Sequence, residues 1–197
     1  MLKTLPLCLC AAALALSGCG GGSSANKSES GQAAGDAGSK TVSESLDQNG
    51  KFFQAAKAVG LDSTLAGTGP YTVLVPSDEA FGKLQSGALA NPADPQNRAQ
   101  ITRILTYHIL PGVILSDDIA KAIDNGDGKA VLATMGGETV TASKSGDSIV
   151  LTDGGGGKAT ITKADIKASN GVIHDVDAVL TPPGGGAAGN EATNTAG

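Results

Sequence analysis

Residues 69–81 read GPYTVLVPSDEAF, and their order of residue types punctuates the whole fold. Tyr71 to Val75 are five residues rich in β-formers, closed by Pro76. Ser77 then offers a hydroxyl as helix N-cap, with Asp78 and Glu79 in the first turn, where carboxylates favour the positive end of the helix dipole. A strand therefore passes directly into a helix.

On the N-terminal side of this stretch the pattern is helical. Thr41 or Ser43 can cap a short helix carrying Leu46, and Phe52, Phe53, Ala56 and Val59 recur at helix spacing before Gly60 ends the run. On the other side, Pro95 to Thr106 form another helix with Ile101, Ile104 and Leu105 on one stripe. Beyond it the pattern turns to β. Strands are predicted over Ala130–Ala133, Thr139–Ala142, Ser148–Thr152, Ala159–Thr162 and Val172–Leu180, separated by Gly-Gly, Ser-Gly-Asp and a four-glycine turn. Helices packed beside an antiparallel sheet make an α+β domain.

Composition bounds what such a domain can be. The chain has 197 residues, 40% of them hydrophobic, which suits one domain with tails. With three Phe, two Tyr and no Trp, the core must be built mainly from Val, Ile, Leu and Ala. The formal charge of -5, with no basic run, argues against nucleic acid as a partner.

The N-terminus carries a different message. Lys3 precedes the apolar run LPLCLCAAALAL, the pattern of a secretory signal peptide, and the run is too short to span a bilayer, which takes roughly 20 apolar residues. Leu16-Ser17-Gly18-Cys19 resembles the lipobox of bacterial lipoproteins, in which the cysteine is acylated and the peptide is cut before it. The resemblance makes residues 1–18 the signal peptide and Cys19 the lipidation site. The alternative is a plain cleaved signal with an incidental cysteine. With Cys8 and Cys10 removed in the leader, the mature chain has no possible intrachain disulfide. Several acyl chains, at about 0.8 kcal/mol per buried CH₂, hold a protein where one would be marginal.

Residues 19–40 form the lipidated N-terminus and a linker with no large apolar residue, whose random-coil span is about 25 Å. Residues 182–197 are equally poor in core-forming residues and are expected to be a disordered tail. The folded unit is therefore 41–181.

Within that unit, GPYTVLVPSDEAF (69–81), YHILPG (107–112) and NGVIHDVDAVL (170–180) resemble, in order, the three signature segments of the fasciclin, or FAS1, domain. The resemblance implies a wedge-shaped β-sandwich with helices packed on one side. It also implies relatives that are extracellular or surface-anchored adhesion and matrix proteins. Asp175 departs from the pattern, since an apolar residue usually follows the histidine. Alternation places Asp175 with Ile173 and Asp177 on one strand face and Val172, His174, Val176, Ala178 and Leu180 on the other, so the first face is expected to be partly solvated.

The resemblance makes Tyr107 and His108 the candidate partner contact, because the matching pair in animal relatives is linked to receptor contacts. The competing reading is that His108 anchors a helix-to-strand junction through both ring nitrogens while Tyr107 packs. His174 is read as a satisfied strand histidine.

Catalytic and metal readings find little support. His108 and His174 are far apart in sequence and no second mature cysteine accompanies them, so no zinc pattern forms. Ser77 and Ser116 lack a nominated base and read as helix starts, the latter with Asp117 and Asp118 in its first turn. Gly154–Gly157 lacks the Lys-Ser or Lys-Thr ending of a phosphate loop and reads as a hairpin turn. Aligning Gly128 with the EF-hand glycine puts Ile123 at the first ligand position, leaving only weak calcium binding by exposed carboxylates. The expectation is a non-enzymatic, lipid-anchored module of the cell envelope, in the outer membrane if the host has one. It needs no cofactor or metal, is held to the membrane by its lipid, and mediates adhesion to a protein or matrix partner. The alternative is a carrier sheltering a small apolar ligand between sheet and helices.

Overall fold

Capping and periodicity work as the sequence suggests at the start of the folded body. The structure, a computed structural model, describes residues 38–83 and 97–184. The leader 1–18, Cys19, the linker up to residue 37, Pro95 and residues 185–197 lie outside the described residues. Helix α1 (Val42–Ser45) opens with a capping box between Thr41 and Glu44. Helix α2 (Lys51–Val59) buries Phe52, Phe53, Ala55 and Ala56 and ends at Gly60, whose φ of 83° is left-handed and suits glycine. Helix α3 (Asp62–Leu65) buries Leu65. Strand β1 (Tyr71–Pro76) follows, then helix α4 (Asp78–Lys83), where the Ser77 hydroxyl accepts the Ala80 N–H at 3.2 Å.

Helix α5 (Arg98–Tyr107) leads into β2 (Ile109–Pro111), and helix α6 (Ser116–Asn125) into β3 (Lys129–Ala133), β4 (Thr139–Ser145), β5 (Ser148–Thr152), β6 (Lys158–Ala168) and β7 (Gly171–Val176). The seven strands form one sheet in the order β2-β1-β7-β6-β5-β4-β3. The Met135 N–H donates to the Ile109 carbonyl at 2.7 Å, which brings the β3–β4 loop against β2 and almost closes the sheet on itself.

One expectation about the sheet is corrected. It is mixed, because β7 pairs parallel with β1 from Tyr71–Gly171 to Pro76–Val176 and antiparallel with β6. The reason lies in Gly171-Val172-Ile173-His174, all four buried: a strand apolar on both faces belongs in the middle of a sheet. β7 also ends at Val176, short of the predicted Leu180. Ile173 is buried in the helix-facing core, so the expected solvation of that face begins only at Asp175.

Strand alternation divides the apolar interior in two. Val73, Ile109 and Ile173 face α1, α2 and α5 through Val42, Phe52, Phe53, Ile101 and Leu105. Leu74, Leu110 and Val176 face into the curled sheet with Tyr107, Val140, Leu151 and Leu180. Helices cover the first face, as an α+β wedge requires, while α6 plugs the second with Ile119 and Ile123. The body also runs slightly past its expected limits. The Lys40 carbonyl accepts the Ser169 N–H, Pro182 is buried, and the Pro183 carbonyl accepts from Arg103.

Candidate functional site

YHILPG is where helix α5 becomes strand β2, and His108 is the C-cap residue at that junction. Its ring is fully buried. Because the Ile104 carbonyl can only accept, Nδ1 carries the proton and donates to it at 2.8 Å, leaving Nε2 to accept the Leu180 N–H at 3.1 Å. Burial holds the imidazole pKa down to about 4, so the ring is neutral at physiological pH and fixed in one tautomer. Phe52 meets the ring edge-on at 6.2 Å. Tyr107 is equally buried, its hydroxyl donating to the Thr139 carbonyl at 2.8 Å and its phenol pushed up by burial. Neither candidate contact residue presents side-chain surface to a partner in this conformation.

His174, on β7, is built the same way. Its Nε2–H donates to the Ile114 carbonyl at 2.9 Å, and Nδ1 accepts the Asp165 N–H at 3.1 Å. That second bond sits inside a register irregularity of β6, where Asp165 takes a φ of 59°. Aspartate tolerates this left-handed backbone, and the bulge re-aims its carboxylate. The carboxylate accepts the Ser116 N–H at 2.8 Å and the Ser116 hydroxyl as well. Ser116 is therefore the first residue of α6, capped by Asp165 from β6, and does not cap the helix itself; the N-cap residue is Leu115. Ser116, Asp165 and His174 lie close together, but the histidine's free nitrogen is spent on a backbone carbonyl and cannot serve the serine as base.

Other polar side chains also close internal accounts. Asn170 accepts the Val42 N–H at 2.7 Å and donates to the Leu65 and Gly67 carbonyls at 2.9 and 2.6 Å, tying helices α1 and α3 to the start of β7. Asp153 fills the glycine turn. Its carboxylate accepts the Gly155 and Gly157 N–H groups and the Thr181 N–H and hydroxyl, so the backbone donors that might cradle a phosphate are already occupied. Asp124, in the stretch weighed for calcium, pairs with Lys144 at 2.6 Å. Among the described residues, no group of three or more His, Cys, Asp or Glu could hold a metal ion. Among them too, no helix is long and apolar enough to cross a membrane.

What remains open is a cleft of about 310 Å³ between the α1–α2 segment and the β1–β7 pair. Leu46, Phe52, Phe53, Val75 and Val176 supply its apolar walls, and Asp47, Ser77, Asp78, Thr162 and Asp175 its polar lining. The Asp78 carboxylate accepts the Lys51 N–H at the head of α2. Asp175, half-buried, makes no side-chain hydrogen bond among the described residues; desolvation pushes its pKa up, against the opposing pull of Lys163 and His174. A second, more polar hollow of about 430 Å³ lies between the head of α6 and the β4–β5 turn. In the sequence Asp175 stands out as a departure from the family pattern, with nothing to connect it to Phe52 or Phe53. Asp165 and Asp153 carry a weaker signal still, an acidic residue interrupting a β pattern.

Comparison with known proteins places this architecture. The family model described as the fasciclin domain matches residues 47–182. Protein sll1483 of Synechocystis sp. is 36% identical over 129 residues, which cover 66% of this chain and 64% of that protein. Transforming growth factor-beta-induced protein ig-h3 of Sus scrofa is 34% identical over 129 residues, 65% of this chain but only 17% of its own length. The chain thus spans just under two thirds of the cyanobacterial relative and a small part of the animal one. Among solved structures, a FAS1 domain pair from the insect cell adhesion molecule Fasciclin I superposes with a TM-score of 0.64 at 20% identity, covering 75% of this chain and 52% of that one.

Proposed function

Because this chain belongs to the fasciclin domain family, we propose that it is a lipid-anchored module of the cell envelope that mediates adhesion or protein–protein interaction. Cys19 is the acylated residue, and Gly20 behind it is compatible with transfer to an outer membrane where the host has one. The linker lifts the domain clear of the headgroups towards a protein or matrix partner. The observation that carries the reading is the family match together with an interior whose two histidines are both fully buried, with both ring nitrogens of each engaged. Such a body works by contact and not by turnover, so it is not an enzyme and takes no cofactor. Tyr107 and His108 act in this reading as the buried scaffold of the α5–β2 junction and not as exposed contacts.

The test is a Cys19→Ala variant expressed in the native host. Wild type should partition into detergent and support adhesion of whole cells. The variant should be water-soluble and adhesion-deficient, and equal adhesion by both would sink the proposal. A second reading, that the domain carries a small ligand, is favoured by one observation: the apolar cleft between helices and sheet.

A further inference from the structure

The cleft beside α2 has walls and rim of opposite character. Phe52, Phe53 and Val75 offer an apolar surface, whereas every ionisable side chain lining the cleft is an aspartate: Asp47, Asp78 and Asp175. Each stands differently. Asp78 is engaged by the Lys51 N–H and offsets the positive end of α2, and Asp47 accepts the Asn49 N–H. Asp175 is the deepest of them, half-buried where the other two are exposed, and its carboxylate lacks a hydrogen-bond donor among the described residues. Its cross-strand neighbour Lys163 is exposed and forms no ion pair with it. A carboxylate desolvated in this way is favoured by any donor that brings a positive charge to it. The aromatic floor favours an apolar stem on the same molecule, and ring faces attract cations as well. The volume, about 310 Å³, is at the small end of ligand pockets.

We propose that this cleft binds an amphipathic cation, a single ammonium group on an apolar stem, with the ammonium on Asp175 and the stem on Phe52 and Phe53. The chemistry is shared by a free alkylamine and by a lysine side chain presented between apolar residues on a partner protein. The proposal builds on the cleft that favours the carrier reading, yet it is separable from the anchoring and adhesion reading. Failure of cation binding with Cys19-dependent adhesion intact removes this site alone; loss of that dependence with binding intact removes the other.

The experiment is an amide NMR titration of the isotope-labelled domain with n-hexylamine, 1-hexanol and hexanoate, and with acetyl-Leu-Lys-Leu-amide. Hexylammonium should shift the amides of Phe52, Phe53, Asp175 and Val176, with hexanol weaker and hexanoate inert. The peptide arm separates the sources: tighter binding of the peptide points to a partner's lysine, tighter binding of hexylammonium to a free amine. Asp175→Asn, which keeps the shape of a side chain with no hydrogen bond to lose, should weaken hexylammonium by about fivefold, and Asp47→Asn by less. Equal shifts from hexanoate, shifts confined to other regions, or unchanged affinity in folded Asp175→Asn would each overturn the proposal.

Discussion

Acidification should destabilise this protein through His108, and the size of the effect follows from its burial. In the unfolded chain the imidazole has its ordinary pKa of 6.5, whereas in the folded protein it is held down to about 4. Because the folded value is the lower one, the unfolded state takes up the proton first as pH falls. The contribution is therefore complete above about pH 6.5, is lost progressively between 6.5 and about 4, and is constant below. At roughly 1.4 kcal/mol per unit the whole window is worth about 3 kcal/mol, of which about 2 kcal/mol is gone by about pH 5. With a urea slope of about 1–3 kcal/mol per molar, that moves the unfolding midpoint by about 1 M. The assay is urea unfolding at about pH 7.5 and pH 5, on wild type and His108→Gln. The variant is less stable throughout, since one amide cannot replace both ring bonds and the Ile104 carbonyl loses its donor, but its stability should depend less on pH by about 2 kcal/mol. Asp175, raised by burial, acts in the opposite direction, gaining stability as pH falls, and Glu44 is lowered at an exposed site; both are common to the two proteins and cancel in the difference. Identical pH dependence in wild type and variant, or an NMR titration of the His108 ring near 6.5, would refute the reasoning.

Five further substitutions separate structural roles. Asn170→Ala removes an acceptor from the Val42 N–H and a donor from the Leu65 and Gly67 carbonyls, and should cost about 2–4 kcal/mol in chemical denaturation. Asp165→Ala should cost about 1–2 kcal/mol, and Ser116→Ala, which keeps the N–H donor, clearly less; the reverse order would return the capping role to Ser116. Gly171→Ala would place a Cβ 2.1 Å from the Tyr71 carbonyl oxygen, so the parallel β1–β7 pairing should fail and circular dichroism should show loss of the folded state. Lys144→Ala, by contrast, breaks an exposed pair with Asp124 and should shift stability by under about 1 kcal/mol.

The parts of the fold legible in the sequence are those decided by near neighbours. Helix α2 announces itself by the spacing of Phe52, Phe53 and Ala56 and by Gly60, and the start of α4 by Ser77, because each signal acts within one or two turns. Strand β2 was not legible. Its three residues are apolar enough for either state and become a strand only through pairing with Tyr71, Thr72 and Val73. The parallel placement of β7 was half-written: the run Gly171 to His174 says that both faces are buried, but not which strand lies beside it. The histidines could be weighed as structural from residue chemistry, yet their partners Leu180 and Ile114 are remote in sequence. The cleft is less legible still. It draws Phe52 from a helix, Val75 and Val176 from adjacent parallel strands, and Asp175 from the position where the sequence departs from the expected pattern.

The long-range bonds also determine where a tether would load the domain. Lys40 accepts from Ser169 and Val42 donates to Asn170, so the chain arriving from Cys19 is bonded to the turn between β6 and β7 just before and at the first residue of α1. From there β7 runs through the centre of the sheet, flanked by β1 and β6, and Leu180 beyond it is held by His108. Under the anchoring proposal, a pull on the linker would reach the most deeply buried strand first and leave the cleft walls of α2 out of the direct path. The Asn170 side chain stands at that entry point, joining α1, α3 and the β6–β7 turn. Asn170→Ala should therefore lower the resistance of the tethered domain to extraction by force more than its equilibrium cost alone implies, whereas Lys144→Ala, remote from the path, should leave extraction force unchanged. Single-molecule pulling from residue 38 measures both, and equal effects of the two substitutions would show that load enters elsewhere.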